Sequence, residues 1–147
     1  MKPHRDSKWW GWGDPAIEPE LDGEALATLR ERVGELESWP LAAELDRFEL
    51  PAAEALPPAL VEAVGEANVF TSTEDRVRHA TGCGYADLAR LRGGHLDAAP
   101  DAVLLPPDAD AVRRVLEICA AEGVAVVPFG GGTSVVGGIE PLRGGHE

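Results

Sequence analysis

The residues best suited to chemistry lie in one run, Pro128-Phe129-Gly130-Gly131-Gly132-Thr133-Ser134-Val135-Val136-Gly137-Gly138. Three consecutive glycines let the backbone take positive φ and bring several N–H groups against a ligand with no Cβ in the way. Thr133 and Ser134 add hydroxyl donors. Convergent N–H and O–H donors without a fixed cation suit a diphosphate, whose water shell they can replace. Two other phosphate fingerprints fail on the letters: GxGxxG needs glycine where Val135 stands, and GxxxxGK[ST] needs lysine where Gly138 stands. A nicotinamide Rossmann site and a P-loop ATPase are therefore disfavoured. The competing reading is a plain glycine turn between two strands, for which one or two glycines suffice.

The elements that must position this run come immediately before it. Val124-Ala125-Val126-Val127 is a short, β-branched apolar run that reads as a strand. Val112, Val115, Leu116, Cys119 and Ala120 recur at i, i+3, i+4, i+7 and i+8, predicting a helix capped by Asp108 or Asp110 and closed by Gly123. Ala102-Val103-Leu104-Leu105, bounded by prolines, reads as an earlier strand, so strand, helix and strand make a βαβ unit with a parallel pair and a right-handed crossover.

Upstream the pattern is helical. Leu26, Leu29, Val33 and Leu36 form an apolar stripe between Asp22 and Glu37, Pro57-Pro58 opens a second helix, and Thr71-x-x-Glu74 has the capping-box pattern. Ala86 to Arg92 predicts further helical turns, with Cys83 and Tyr85 in a glycine-punctuated loop before them. The fold class is α+β (α/β), divided into an arm at 1–20 carrying Trp9, Trp10 and Trp12, a helical region at 21–99, and an α/β part at 100–147. The arm either folds back as a staple over an apolar groove or anchors a partner or lipid interface.

Composition removes whole classes of function. With 13 Lys+Arg against 26 Asp+Glu, the 147-residue chain carries a net charge of −13, which disfavours nucleic acid and anionic membrane as partners. A 44% hydrophobic content supports one globular core. Cys83 and Cys119 sit in no disulfide or zinc spacing, and His79 with Cys83 lacks further ligands, so no metal is expected. His4, His95 and His146 are isolated, and Ser134 lacks the nucleophile elbow. Without an apolar run approaching about 18 residues or a signal-like N-terminus, the expected location is the cytoplasm.

Pro100-Asp101-Ala102-Val103, the following helix and Val126 to Val135 resemble the first βαβ of the FAD-binding oxidases with the vanillyl-alcohol oxidase type flavin domain. Lys8-Trp9-Trp10-Gly11-Trp12-Gly13, Asp75 to Gly82 and Leu91-Arg92-x-Gly94 are similar to the alkyldihydroxyacetonephosphate synthases within that family, although Trp10 stands where the animal enzymes carry Asn. The resemblance implies FAD as cofactor, its pyrophosphate held by Pro128, Phe129, Gly130, Gly131, Gly132, Thr133 and Ser134, mainly through backbone amides. It also implies an enzyme of ether-lipid synthesis that exchanges an acyl for an alkyl group on dihydroxyacetone phosphate through a flavin adduct. On this reading the chain is the N-terminal part of a longer flavoprotein whose incomplete flavin domain turns over little alone. A lipid-like substrate would bind downstream, and a homodimer is open to the full-length protein. The alternatives are a fragment of an FAD-linked lactate- or glycolate-type dehydrogenase, or a non-catalytic module binding a nucleotide or partner.

Overall fold

The computed structural model describes residues 7–17, 20–35 and 44–142. Helix α1 spans Gly23–Val33, started by Asp22, whose carboxylate accepts the Ala25 N–H at 2.8 Å. None of its side chains is buried among the described residues, and Leu29 and Val33 stay exposed. The helix closes earlier than the predicted Glu37, at Gly34, whose φ of 84° no helical residue adopts; Leu36 and Glu37 lie outside the described residues.

The remaining helices are short because prolines and glycines punctuate the chain. Helix α2, Pro58–Val64, opens with proline at its first position, where no intrahelical N–H is needed. Helix α3, Thr73–Arg78, is capped by Ser72, whose hydroxyl accepts from the Asp75 N–H. The cap thus falls one residue after the predicted Thr71, a register in which Val77 is buried and Arg76 reaches two distant carbonyls. Helix α4 is Tyr85–Arg92. Helix α5, Ala109–Glu122, is capped by Asp108 and closed by Gly123 in the left-handed conformation at φ 69°, as its sequence predicts.

Strand β1, Val69–Phe70, pairs antiparallel with β2, Val103–Leu104, in the register Val69 with Leu104 and Phe70 with Val103. The expected parallel partner of β2 is a correction: Val124 to Val127 forms no strand and joins no ladder among the described residues. Packing of α2 on α5 sets β1 beside β2 instead, and a two-residue strand is too short to show a period.

Two apolar clusters hold these pieces. Leu60 and Val64 of α2 meet Val115 and Cys119 of α5, flanked by Val69, Leu104 and Val124. The buried side of α5 is therefore Ala111, Val115 and Cys119, whereas Val112 and Leu116 of the predicted stripe stand about half exposed. The second cluster joins Phe48, Val77, Leu88 and Leu91 with Trp9 from the arm. Each fully buried aliphatic side chain contributes about 1.5–3 kcal/mol.

The arm lies folded back on the helical region. Trp9 meets Phe48 edge-on with ring centroids 5.6 Å apart, Arg92 Nε donates to the Trp10 carbonyl at 2.9 Å, and Arg78 donates to the Ser7 carbonyl at 3.0 Å.

Buried Arg76 ties three segments together, donating from Nε to the Pro100 carbonyl at 2.7 Å and from Nη2 to the Pro51 carbonyl at 2.8 Å. Loss of both charge-assisted bonds in Arg76→Ala is expected to cost about 3 kcal/mol, read as a lower melting temperature. Arg76→Lys should recover only part of it, since an ammonium has no fork. A variant melting with the wild type would refute this role.

Candidate functional site

The run Val124 to Val127 leads the chain into the glycine loop, whose seven candidate residues form one continuous surface segment. Pro128, Gly130, Gly131 and Thr133 are exposed, and Phe129, Gly132 and Ser134 are half-buried. The three glycines do different work. Gly132 has φ +66°, and a Cβ there would sit 2.7 Å from Cζ of Phe129, so only glycine lets that ring fold over the turn. A Cβ on Gly130 would meet nothing within 4 Å, and one on Gly131 only the Thr133 methyl at 3.7 Å. Among the described residues, no backbone N–H from Gly130 to Ser134 donates to another backbone carbonyl. An accessible row of amides without backbone acceptors fits a phosphate-bearing ligand.

The loop rests on the segment between α3 and α4. The Cys83 N–H donates to the Ser134 carbonyl at 2.7 Å. Gly82 is required there, because a Cβ would stand 2.1 Å from the same oxygen. The indole Nε1 of Trp12 donates to the Cys83 carbonyl at 3.2 Å, linking the arm to this contact. The Phe129 ring lies against His79 with centroids 4.6 Å apart. His79 Nδ1 lies 2.7 Å from the Asp75 carbonyl, which can only accept, so that nitrogen carries the proton.

Beyond the loop, Glu140 pairs with Arg90 of α4, which also holds Asp87 at 2.7 Å and has Asp97 at 3.9 Å. Burial pushes the Asp87 carboxyl up, but the Arg90 guanidinium and the Gly84 amide outweigh it and hold the group below the usual carboxylate range. Hydrogen bonds to Glu140 and then Asp87 raise the Arg90 guanidinium further. Burial, and secondly the Asp87 charge, push the Cys83 thiol up, keeping it protonated at neutral pH.

The sequence located the loop but not what backs it. His79 and Gly82 stood out as part of the Asp75 to Gly82 stretch, and His79 as an incomplete metal site, but nothing in their local spacing points to residues fifty positions away. No three His, Cys, Asp or Glu side chains converge among the described residues. A cavity of about 410 Å³ lined by Arg47, Glu49, His95 and Asp97 includes no residue of the glycine loop, and its two carboxylates outnumber its one arginine.

The family model described as FAD binding domain matches residues 100–145. Protein Rv2250A of Mycobacterium tuberculosis is 36% identical over 114 residues, covering 73% of this chain and 75% of that protein. The alkyldihydroxyacetonephosphate synthase of Dictyostelium discoideum is 28% identical over 170 residues, covering 95% of this chain and 28% of the synthase. A solved alkyldihydroxyacetonephosphate synthase superposes with a TM-score of 0.81 at 23% identity, covering 97% of this chain and 31% of the other. The chain belongs to the FAD-binding oxidase family with the vanillyl-alcohol oxidase type flavin domain, and FAD is that domain's cofactor. Within the family it resembles the alkyldihydroxyacetonephosphate synthases, and it spans less than a third of the length of those it matches. No helix of the described residues is long and apolar enough to cross a membrane.

The depressed Asp87 carboxyl gives stability a defined pH dependence. Its contribution is present above the unfolded value near pH 4 and is lost as pH falls through the lower folded value. Asp87→Asn is expected to lose about 2 kcal/mol at pH 7, with the gap to wild type closing in strong acid. Melting curves from pH 7 to about pH 2 check this; a gap independent of pH would exclude the ionised carboxylate as its source.

Proposed function

We propose that Pro128 to Ser134 hold the pyrophosphate of FAD and that the chain serves a reaction of the alkyldihydroxyacetonephosphate synthase type. In such a reaction the acyl group of an acyl-dihydroxyacetone phosphate is exchanged for a fatty alcohol. The observation that carries the reading is the row of five amides, Gly130 to Ser134, that donate to no backbone carbonyl among the described residues and are open on the Cβ side at Gly130 and Gly131. Similarity to synthases over nearly the whole chain supports the reaction class.

FAD, when bound, supplies the electron-accepting chemistry. The chain's own contribution is binding and orientation. The loop carries no charge, so a dianionic pyrophosphate is met by peptide dipoles and the hydroxyls of Thr133 and Ser134. Arg90 pairs with both Glu140 and Asp87 and offsets one of their two charges, which weakens the carboxylate field near the loop. We assign no substrate-handling residue to 7–142 and expect this segment alone to turn over little. Two free thiols, Cys83 and Cys119, suit a reducing compartment, and we place the protein in the cytoplasm on that ground.

Gly131→Val tests the loop. The added Cβ meets only the Thr133 methyl at 3.7 Å, so the fold should tolerate it while the branch occupies the ligand's side of the turn. The expected result, in the full polypeptide, is an unchanged melting temperature of the apoprotein with loss of the yellow flavin absorbance. Undiminished flavin would remove the assignment.

The reaction class has its own test. Acyl-for-alkyl exchange is redox-neutral overall, so anaerobic lactate or glycolate should leave the bound flavin oxidised. Bleaching by either acid would move the protein to the 2-hydroxy-acid dehydrogenases.

A further inference from the structure

We infer that the segment between α3 and α4, with the tryptophan arm behind it, is a positioning brace for the cofactor loop, an inference that rests on the FAD reading above. The contact is built at two points. At one, Gly82 lets the backbones approach until the Cys83 N–H reaches the Ser134 carbonyl at 2.7 Å. At the other, Arg90 of α4 pairs with Glu140, six residues further along the loop. Trp12 closes the chain of contacts by donating its indole N–H to the Cys83 carbonyl, so the peptide units at Cys83 are held from the arm and hold Ser134 in turn.

The consequence follows from where the loop's order originates. The glycine run has no strand ladder among the described residues, and glycine loses more conformational freedom on ordering than any other residue. A loop that must order as ligand binds loses affinity by that entropy, whereas one already fixed does not. Fixing the Ser134 carbonyl anchors the C-terminal end of the donor run, directly after the Ser134 N–H. Gly82, Cys83, Trp12 and Arg90 are then positioning residues: they act on FAD through the loop.

Gly82→Ala, Trp12→Phe and Arg90→Met in the full polypeptide test the brace, read as the FAD dissociation constant, the visible circular dichroism of bound FAD, and the melting temperature of the apoprotein. Gly82→Ala must displace the Ser134 carbonyl and is expected to weaken FAD binding about tenfold or more. Trp12→Phe keeps an aromatic ring at this exposed position while removing the N–H donor, and should weaken binding about threefold while the apoprotein melts as wild type. Both should change the dichroism of the flavin that remains. If Gly82→Ala does not fold, Trp12→Phe and Arg90→Met carry the test. Wild-type affinity and dichroism in every folded variant would overturn the brace while leaving the FAD reading intact. Wild-type protein that takes up no FAD would instead overturn that reading, and the brace with it.

Discussion

A loop of consecutive glycines has no intrinsic shape, and the structure depends on how that freedom is removed. Here it is removed by close backbone approach: Gly82 lies so near the Ser134 carbonyl that any side chain would collide with it, and the adjacent Cys83 N–H bonds that oxygen. Phe129 folds over Gly132 from within the loop and touches His79, so its aromatic anchor also rests on the helical region. The loop and the helices before it are in this sense one unit. Short helices α3 and α4, marginal as isolated pieces, are held by polar anchors as well as by their small apolar cluster.

Those anchors are mostly arginines. Arg76 serves Pro51 and Pro100 at once, Arg92 and Arg78 take carbonyls of the arm, and Arg90 gathers Asp87, Asp97 and Glu140. A planar, permanently charged fork can satisfy several carbonyls or carboxylates from different segments, which an ammonium does less well. In a chain with a net charge of −13 this use of its few cations has a second effect. Acidic groups near the loop share Arg90, which offsets part of their charge, so a polyanionic ligand meets a smaller repulsive field than the composition suggests.

Much of the helical framework and the identity of the loop were legible in the sequence, because they depend on local chemistry. Asp22, Asp108 and Gly123 mark helix ends through side-chain caps and a left-handed turn that near neighbours dictate. The glycine run announces a close backbone approach, since no other residue permits it. By contrast, the antiparallel pair of β1 and β2, the exposure of Val112 and Leu116, and the cap at Ser72 rather than Thr71 were not legible. Each was decided by which surface a segment packs against, and two-residue strands carry no period to reveal it.

By itself, then, the sequence determined the donor-rich loop, the helix that leads to it and the tryptophan arm, all of them properties of neighbouring residues. Only the tertiary structure decided that Trp12, Cys83 and Ser134 share one line of hydrogen bonds, that His79 backs Phe129, and that Arg90 reaches Glu140. The physical reason is sequence separation. These pairs lie about fifty to seventy residues apart, and no local pattern encodes a contact whose geometry is set by the packing of everything between.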